Sequence, residues 1–250
     1  MRRAKAYQPG HVSLERALSK LGIASRTKAR EWILAGKVRV NGVIRKQPAF
    51  AVFPERAKIE IEGQRKTKTE RRIFVLHKPR GVVTTHRDEK GRPTVFSLVE
   101  ELGLHLIAVG RLDWATSGLL ILTNDTKLAN FLTDPENGIP RTYLVSVRGK
   151  VNEGDLRTLM RGIKDQGELL KADQVVLRKA SARESHLTVT LTEGKNRELR
   201  RLFAAIGHEL TRLKRVSYGA LELGNLAPGE YREISLQDLQ LSLRNPDESD

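Results

Sequence analysis

Gly110–Asp125 reads GRLDWATSGLLILTND. An apolar run, LIAV at Leu106–Val109, leads into it, and a second, GLLILT at Gly118–Thr123, leads out. Short continuous apolar runs bounded by polar turn residues read as buried strands. One carboxylate, Asp113, therefore sits between a strand entering a core and a strand leaving it, as a turn residue or as a held reagent.

Outward from this point the same texture continues. Strands are expected at IFVL (Ile73–Leu76), GVVTT (Gly81–Thr85), TYLVSV (Thr142–Val147), QVVL (Gln174–Leu177) and HLTVTL (His186–Leu191). Helices are expected at KLANFL (Lys127–Leu132), GDLRTLMRGI (Gly154–Ile163) and NRELRRLFAAIG (Asn196–Gly207). Strands interrupted by occasional helices, without regular alternation, predict an α+β domain on a mainly antiparallel mixed sheet over 73–243.

The N-terminal part reads differently. SLERALSKLG has Ser13 placed as an N-cap, with Leu14, Ala17, Leu18 and Leu21 at helical spacing and Gly22 as a stop. SRTKAREWILAG opens on Ser25 and closes on Gly36, with Ala29, Trp32 and Ile33 on one face. In VRVNGVI, alternating apolar residues flank Asn41-Gly42, a strong short-range hairpin signal. Two helices and a hairpin make a small domain over 13–62. EGQRKTKTERR, almost without apolar residues, predicts a linker over 63–72, and RNPDESD at the end predicts a frayed tail.

The 250 residues carry 45 Lys and Arg against 30 Asp and Glu, a net charge of +15 that points to a polyanionic partner, nucleic acid first. Arg26, Lys28, Arg30, Lys37, Arg39, Arg45 and Lys46 crowd the small domain, with Glu31 as the nearby acid in sequence. As a set they read as phosphate contacts. There is no cysteine, so no disulfide or thiolate metal site. The absence of an apolar stretch of spanning length and of a secretory leader predicts a soluble cytoplasmic protein, and the linker with the strong basicity predicts a monomer whose two domains clamp RNA together.

Elimination narrows the chemistry of Asp113. Hydrolytic glycosidases usually use two carboxylates, and no second acid stands beside Asp113, although Asp125 or a distant one can approach in the fold. A nucleophile elbow, a Walker loop and a dinucleotide fingerprint are all absent. A reaction that detaches a base and reattaches it needs no attacking water, so one carboxylate suffices.

At these residues two resemblances stand out. Ser13–Glu62, with its core ASRTKAREWILAGKVRVNG, resembles the small RNA-binding domain first described in a ribosomal protein of the small subunit and shared by tyrosyl-tRNA synthetases. VGRLDWATSGLLILTND resembles the signature of the pseudouridine synthases, in the RsuA/RluB branch that acts on ribosomal RNA. HKPRGVV, PRTYLVSV and the block from Leu191 to Ser235 fit the same family in the same order. The resemblance implies a site-specific isomerase of ribosomal RNA, large subunit preferred over small, with an RNA or an assembly intermediate as partner. It implies no cofactor and no metal. A catalytically silent RNA-binding assembly factor on the same scaffold is the alternative.

Carried onto this chain, the resemblance places the catalytic aspartate at Asp113, an active-site tyrosine at Tyr143, an aliphatic cover for the uracil ring at Leu199 and a basic partner for the acid at Arg200. Arg200 would keep a buried carboxylate ionised. Tyr143 also alternates with Val145 and Val147 as one strand face, which plain core packing explains as well. Arg111 and Lys78 are supporting residues for nucleotide or acid, and Arg197 and Arg201, one helical turn apart, suit phosphates or solvent. Glu198 stands where relatives commonly carry glutamine.

Overall fold

The computed structural model describes residues 11–66 and 70–243; the expected tail over 244–250 and the basic start over 1–10 lie outside them. The chain divides into two compact units, Met1–Arg72 with Gly103–Ile107 and Thr123–Ala129, and the remainder.

The first unit contains β1 (Val12–Ser13), α1 (Leu14–Lys20), α2 (Arg26–Leu34), β2 (Val38–Val40), β3 (Val43–Ile44), β4 (Ala51–Val52), β5 (Ile59–Ile61) and β6 (Gln64–Lys66). Leu14, Ala17 and Leu18 of α1 and Ala29 and Ile33 of α2 are fully buried against Val38, Val40, Ile59 and Ile61 of the strands. Ser25 caps α2, its side chain accepting from the Lys28 N–H. Ser13 makes no such bond. The first amides of α1 instead reach the carbonyls of Phe50 and Pro48 at 2.8 and 3.2 Å, so a neighbouring turn does the work of the cap. Asn41 and Gly42 both have positive φ, 51° and 80°, in the tight turn joining β2 to β3.

The expected linker over 63–72 is in large part structured. β6 pairs with β5, closing the strand order β3-β2-β5-β6. At its far end the Arg72 N–H donates to Asn124 Oδ1, and Asn124 Nδ2 donates to the Glu70 carbonyl. β6 is an edge strand of that sheet, and 67–69 lie outside the described residues.

The second unit is built on β7 (Ile73–Lys78), β9 (Ser117–Thr123), β10 (Arg141–Arg148), β13 (Gln174–Ala180), β14 (Glu184–Leu191), β15 (Leu210–Tyr218) and β17 (Tyr231–Ile234). Their order across the sheet is β13-β14-β10-β15-β9-β7-β17. The β13–β14, β14–β10, β10–β15 and β7–β17 pairs are antiparallel, and β9–β15 is parallel. This is the mixed, mostly antiparallel sheet of an α+β domain. The shorter strands are β8 (Ile107–Ala108), β11 (Ile163–Asp165), β12 (Glu168–Leu170) and β16 (Leu221–Glu222). The helices are α3 (Thr126–Thr133), α4 (Glu153–Arg161), α5 (Glu198–Ala205) and α6 (Leu236–Leu243). Among the described residues no helix is long and apolar enough to cross a membrane.

Two expectations are corrected. GVVTT is not a strand: only an isolated bridge, Val83 to Thr94, forms there. Gly81 and Thr84 turn their hydrogen bonds toward the loop that carries Asp113. The nine-residue strand β15, fourth of the seven in that order, was not expected, because Arg212, Lys214 and Arg215 break its apolar alternation.

The contact between β9 and β15 depends on one glycine. Gly118 lies opposite Arg215 with φ at +111°, and a Cβ there would stand 2.1 Å from the Arg215 carbonyl oxygen. No L side chain fits that backbone approach. Gly118→Ala is therefore expected to lower unfolding free energy by at least about 2 kcal/mol or to prevent folding, measured by urea denaturation; stability within about 0.5 kcal/mol of the wild type would refute the close approach.

Candidate active site

Asp113 lies on the loop between β8 and β9, and the segment from the last residue of β7 onward holds that loop at alternate residues. Thr84 Oγ1 donates to the Leu112 carbonyl at 2.9 Å and accepts from the Leu112 N–H at 3.3 Å. The Gly81 N–H donates to the Trp114 carbonyl at 2.9 Å. Lys78 Nζ donates to the Thr116 carbonyl at 2.7 Å and to its neighbour Pro79 at 2.9 Å. Within the loop, the Thr116 N–H closes back on the Asp113 carbonyl at 2.9 Å. Asp113 is thus a turn residue through its backbone while its side chain stays available.

That side chain is half-exposed, at 47%, and its Oδ2 lies 4.0 Å from Nε of Arg200 on α5. The expectation of a buried acid needs correcting: the guanidinium is the more buried partner, at 19% side-chain exposure, and burial lowers the pKa of Arg200 while the Asp113 charge raises it. Arg200 is held from behind by the Leu210 carbonyl at 3.3 Å.

Asp113 and Arg200 line a cavity of about 610 Å³ together with Arg111, Tyr143, Arg197, Leu199 and Arg215. Tyr143 is 9% exposed, in phase with the buried Val145 and Val147, and also on the cavity wall, so packing and lining go together. A register shift between Thr142 and Tyr143 places Tyr143 opposite Arg215 and Thr142 opposite Ser217, leaving Val216 as the extra residue of β15. Such a bulge re-aims side chains. It lets Arg215 and Tyr218, three residues apart, both face inward.

Arg111 and Arg197 are exposed at this cavity; Arg197 takes a left-handed backbone, φ 49°, just before α5. Two further expected residues lie elsewhere. Lys78 is fully buried behind the Asp113 loop and is not part of the cavity wall. Arg201 is tied to the β11–β12 hairpin, to Asp165 at 2.5 Å and Glu168 at 2.6 Å, and is likewise off the wall. Asp125 does not approach as a second acid: it pairs with Arg71 at 2.7 Å and accepts from the first amides of α3. Two other carboxylates do line the cavity: Glu193, which the sequence did not single out, and Glu198, noted for standing in place of glutamine. Glu193 is paired with Lys195. Glu198 is 4% exposed, accepts the Lys195 N–H at 3.0 Å, and has its pKa raised by burial.

Three buried residues in the wall escaped sequence reasoning. Arg141 on β10 donates to the carbonyls of Thr192 and Leu132 and to the Tyr218 hydroxyl. Tyr218 donates to Leu132, and Arg215 donates through Nε to Leu119 at 2.7 Å. The available signal was Arg215 standing two residues after Leu213, in the buried phase of the strand.

In the first unit the basic residues are less free than their sequence neighbourhood suggested. Arg26 and Arg30 both reach Glu15, Lys28 reaches Glu31, and Lys37 reaches Glu62, while Arg39 donates to the Gly42 carbonyl. These pairs are at the surface, where an ion pair contributes little and exchanges readily.

Comparisons with known proteins agree with this architecture. Residues 72–205 match the RNA pseudouridylate synthase family, and 13–55 match the S4 domain. The chain is 38% identical, over 91% of its length and 93% of the relative's, to a Bacillus subtilis protein named ribosomal large subunit pseudouridine synthase B. It is 36% identical, over 91% and 92%, to an Aquifex aeolicus RNA pseudouridine synthase. A crystal structure of a pseudouridylate synthase superposes with a TM-score of 0.65 at 28% identity, covering 93% of this chain and 100% of that one. The fold is that of an isomerase domain preceded by a small S4 domain. The chain belongs to the RNA pseudouridine synthase family.

Lys78 gives a test of the clamp behind Asp113. Burial lowers its pKa to about 8, against a counteracting pull from the Asp113 charge. Between pH 8 and the unfolded value of about 10.4, the unfolded chain holds a proton there that the folded chain does not. Stability from this group therefore rises with pH across that window, by an amount on the order of 3 kcal/mol. The stability difference between wild type and Lys78→Met, from urea unfolding, is expected to be flat from pH 6 to 8 and to climb above it; a flat difference throughout would contradict the assignment.

Proposed function

We propose that this chain isomerises a specific uridine of ribosomal RNA to pseudouridine, with Asp113 as the one carboxylate reagent and the target nucleotide flipped out of its stack into the cavity. The observation that supports this best is convergence: Asp113, Tyr143, Leu199 and Arg200, drawn from a loop, a strand and a helix, line one cavity. Its volume falls within the range of about 300–1,000 Å³ usual for small-ligand sites.

The division of labour follows from placement. Asp113 either bonds to the anomeric carbon of the ribose or takes a ribose proton to leave a glycal. In both routes the C1′–N1 bond breaks with its electron pair going to the base. The base turns, C5 bonds to C1′ as the Asp113–C1′ bond breaks or as the abstracted proton returns to the ribose, the C5 proton leaves to solvent and N1 takes a proton. Arg200 orients the acid. Tyr143 and Leu199 enclose the ring of the base. The exposed Arg111 and Arg197 take the phosphates, and Lys78 positions the loop from behind.

Arg201, ion-paired to the hairpin, acts as a brace for α5 in this reading. The S4 domain supplies RNA affinity through Arg26, Lys28, Arg30, Lys37 and Arg39, whose surface carboxylate partners are replaceable by phosphate. The large ribosomal subunit is the expected source of substrate, in keeping with the name of the Bacillus subtilis relative. Flipping a base costs a few kcal/mol, which favours a loop or partly opened target over a perfect duplex.

Tritium release from ribosomal RNA labelled at uridine C5, measured separately on each subunit's RNA and on assembly intermediates, tests the proposal. Wild type is expected to release tritium from large-subunit RNA. Asp113→Asn is expected to fold normally, because the side chain is half-exposed, to keep its RNA affinity, and to lose at least roughly 10³-fold in rate. Turnover retained by the purified variant would sink the role of Asp113. RNA binding without tritium release from any of these substrates would favour the silent assembly factor.

A further inference from the structure

The cavity wall holds two buried arginines, Arg141 at 7% exposure and Arg215 at 3%, and among the described residues neither meets a carboxylate within ion-pair distance. Burying a guanidinium without a counter-charge is costly, and the cost is bearable only where its donors find acceptors. For Arg141 they do: both terminal nitrogens donate, to two carbonyls and a hydroxyl. For Arg215 they do not. Its Nε donates to Leu119, its guanidinium lies 5.2 Å from the Tyr218 ring centroid, and Nη2 is buried without any partner. Arg141 is complete as a structural brace. Arg215 is incomplete without something in the cavity.

We propose that Arg215 donates a hydrogen bond to a carbonyl oxygen of the flipped uracil and stabilises the negative charge that the base acquires when it leaves the ribose. This rests on the pseudouridylation reading above. Two features favour the base over a phosphate. Arg215 stands directly opposite Tyr143 in the sheet, on the face they share, so it borders the residue that encloses the ring. The phosphates of a flipped nucleotide remain continuous with the strand outside, where the exposed Arg111 and Arg197 are. Only the base reaches the buried wall.

The electron balance gives Arg215 a task that Asp113 and Arg200 do not perform. When C1′–N1 breaks, the pair that formed the bond stays on the base and spreads onto its carbonyl oxygens; the guanidinium keeps its proton throughout. A fixed donor in a water-poor site acts most strongly at the moment that charge appears. When C5 bonds to C1′ the charge is quenched and the interaction weakens; the C5 proton then departs as N1 takes a proton. Arg215 is then a catalytic residue for bond cleavage and a selector for a ring with a carbonyl at that position.

The test is single-turnover consumption of the target nucleotide by wild type, Arg215→Gln and Arg215→Lys, on RNA carrying uridine or 5-fluorouridine at the target. Fluorine withdraws electrons and makes the detached base a better anion, so it lessens the need for Arg215. On uridine, Arg215→Gln is expected to slow cleavage by about 10²–10³-fold with RNA affinity little changed, and Arg215→Lys to fall between it and wild type. On 5-fluorouridine the deficit is expected to shrink at least several-fold, which a merely structural defect would not do. Arg215→Lys, which keeps the charge, is read in the same way where Arg215→Gln fails to fold. Rates near wild type on uridine, or equal deficits on both substrates, would overturn the role of Arg215 while leaving pseudouridylation intact. An inactive wild type would overturn both.

Discussion

The loop carrying Asp113 is fixed by three hydrogen-bonding groups that succeed one another along the chain from the last residue of β7 onward. Lys78 holds residue 116, Gly81 holds 114 and Thr84 holds 112. The bonds fall on alternate residues of the loop and run antiparallel to it, as in a ladder, though the geometry is too irregular to count as a strand pair. An irregular ladder has a specific advantage for a reagent. The backbone is as restrained as that of a strand, while the side chain of the unheld residue, Asp113, is not committed to a sheet face. Lys78 is the costliest member, a fully buried ammonium, and two carbonyl acceptors offset part of that cost.

A second constraint fixes the opposite wall. The parallel contact of β9 with β15 brings backbones so close at Gly118 and Arg215 that a side chain is excluded. The contact pairs Ser117 and Gly118 with Lys214 and Arg215, beside the buried Leu213 and Arg215, and the bulge at Val216 moves the next buried position to Tyr218. The loop with Asp113 enters β9 just before Gly118, so the same contact aligns the acid's loop with the strand bearing Arg215.

Much of this was legible in the sequence, and the failures have physical causes. The helices of the S4 domain, the Asn41-Gly42 turn and the strands on either side of Asp113 follow from local periodicity and turn chemistry. Ser25 and Ser13 looked equivalent as caps, yet only Ser25 caps by its side chain, because a distant turn at Pro48–Phe50 had already satisfied α1. Glu31 looked like the lone acid among the basic residues of the first domain, but folding brings Glu15 and Glu62 to them. The strand β15 was hidden because a buried arginine mimics a solvent-facing one. Arg141, Arg215 and Tyr218 belong to the site through a bulge, and register is not readable from one strand alone.

Burial sorts the arginines of the cavity into different kinds of work. Exposed guanidiniums, Arg111 and Arg197, keep their hydration until an anion arrives and suit a phosphate that stays at the surface. Arg200, partly buried, pairs with an acid that is itself half in water and orients it at the cavity. Arg141 is buried and satisfied, and has become architecture. Arg215 alone combines deep burial, a place on the cavity wall and a donor without an acceptor. The resting protein carries that unsatisfied donor at a cost, which the proposed electron-rich ring in the site would offset. That places its largest effect at the stage of reaction where the ring is most electron-rich, after it has left the sugar and before it returns.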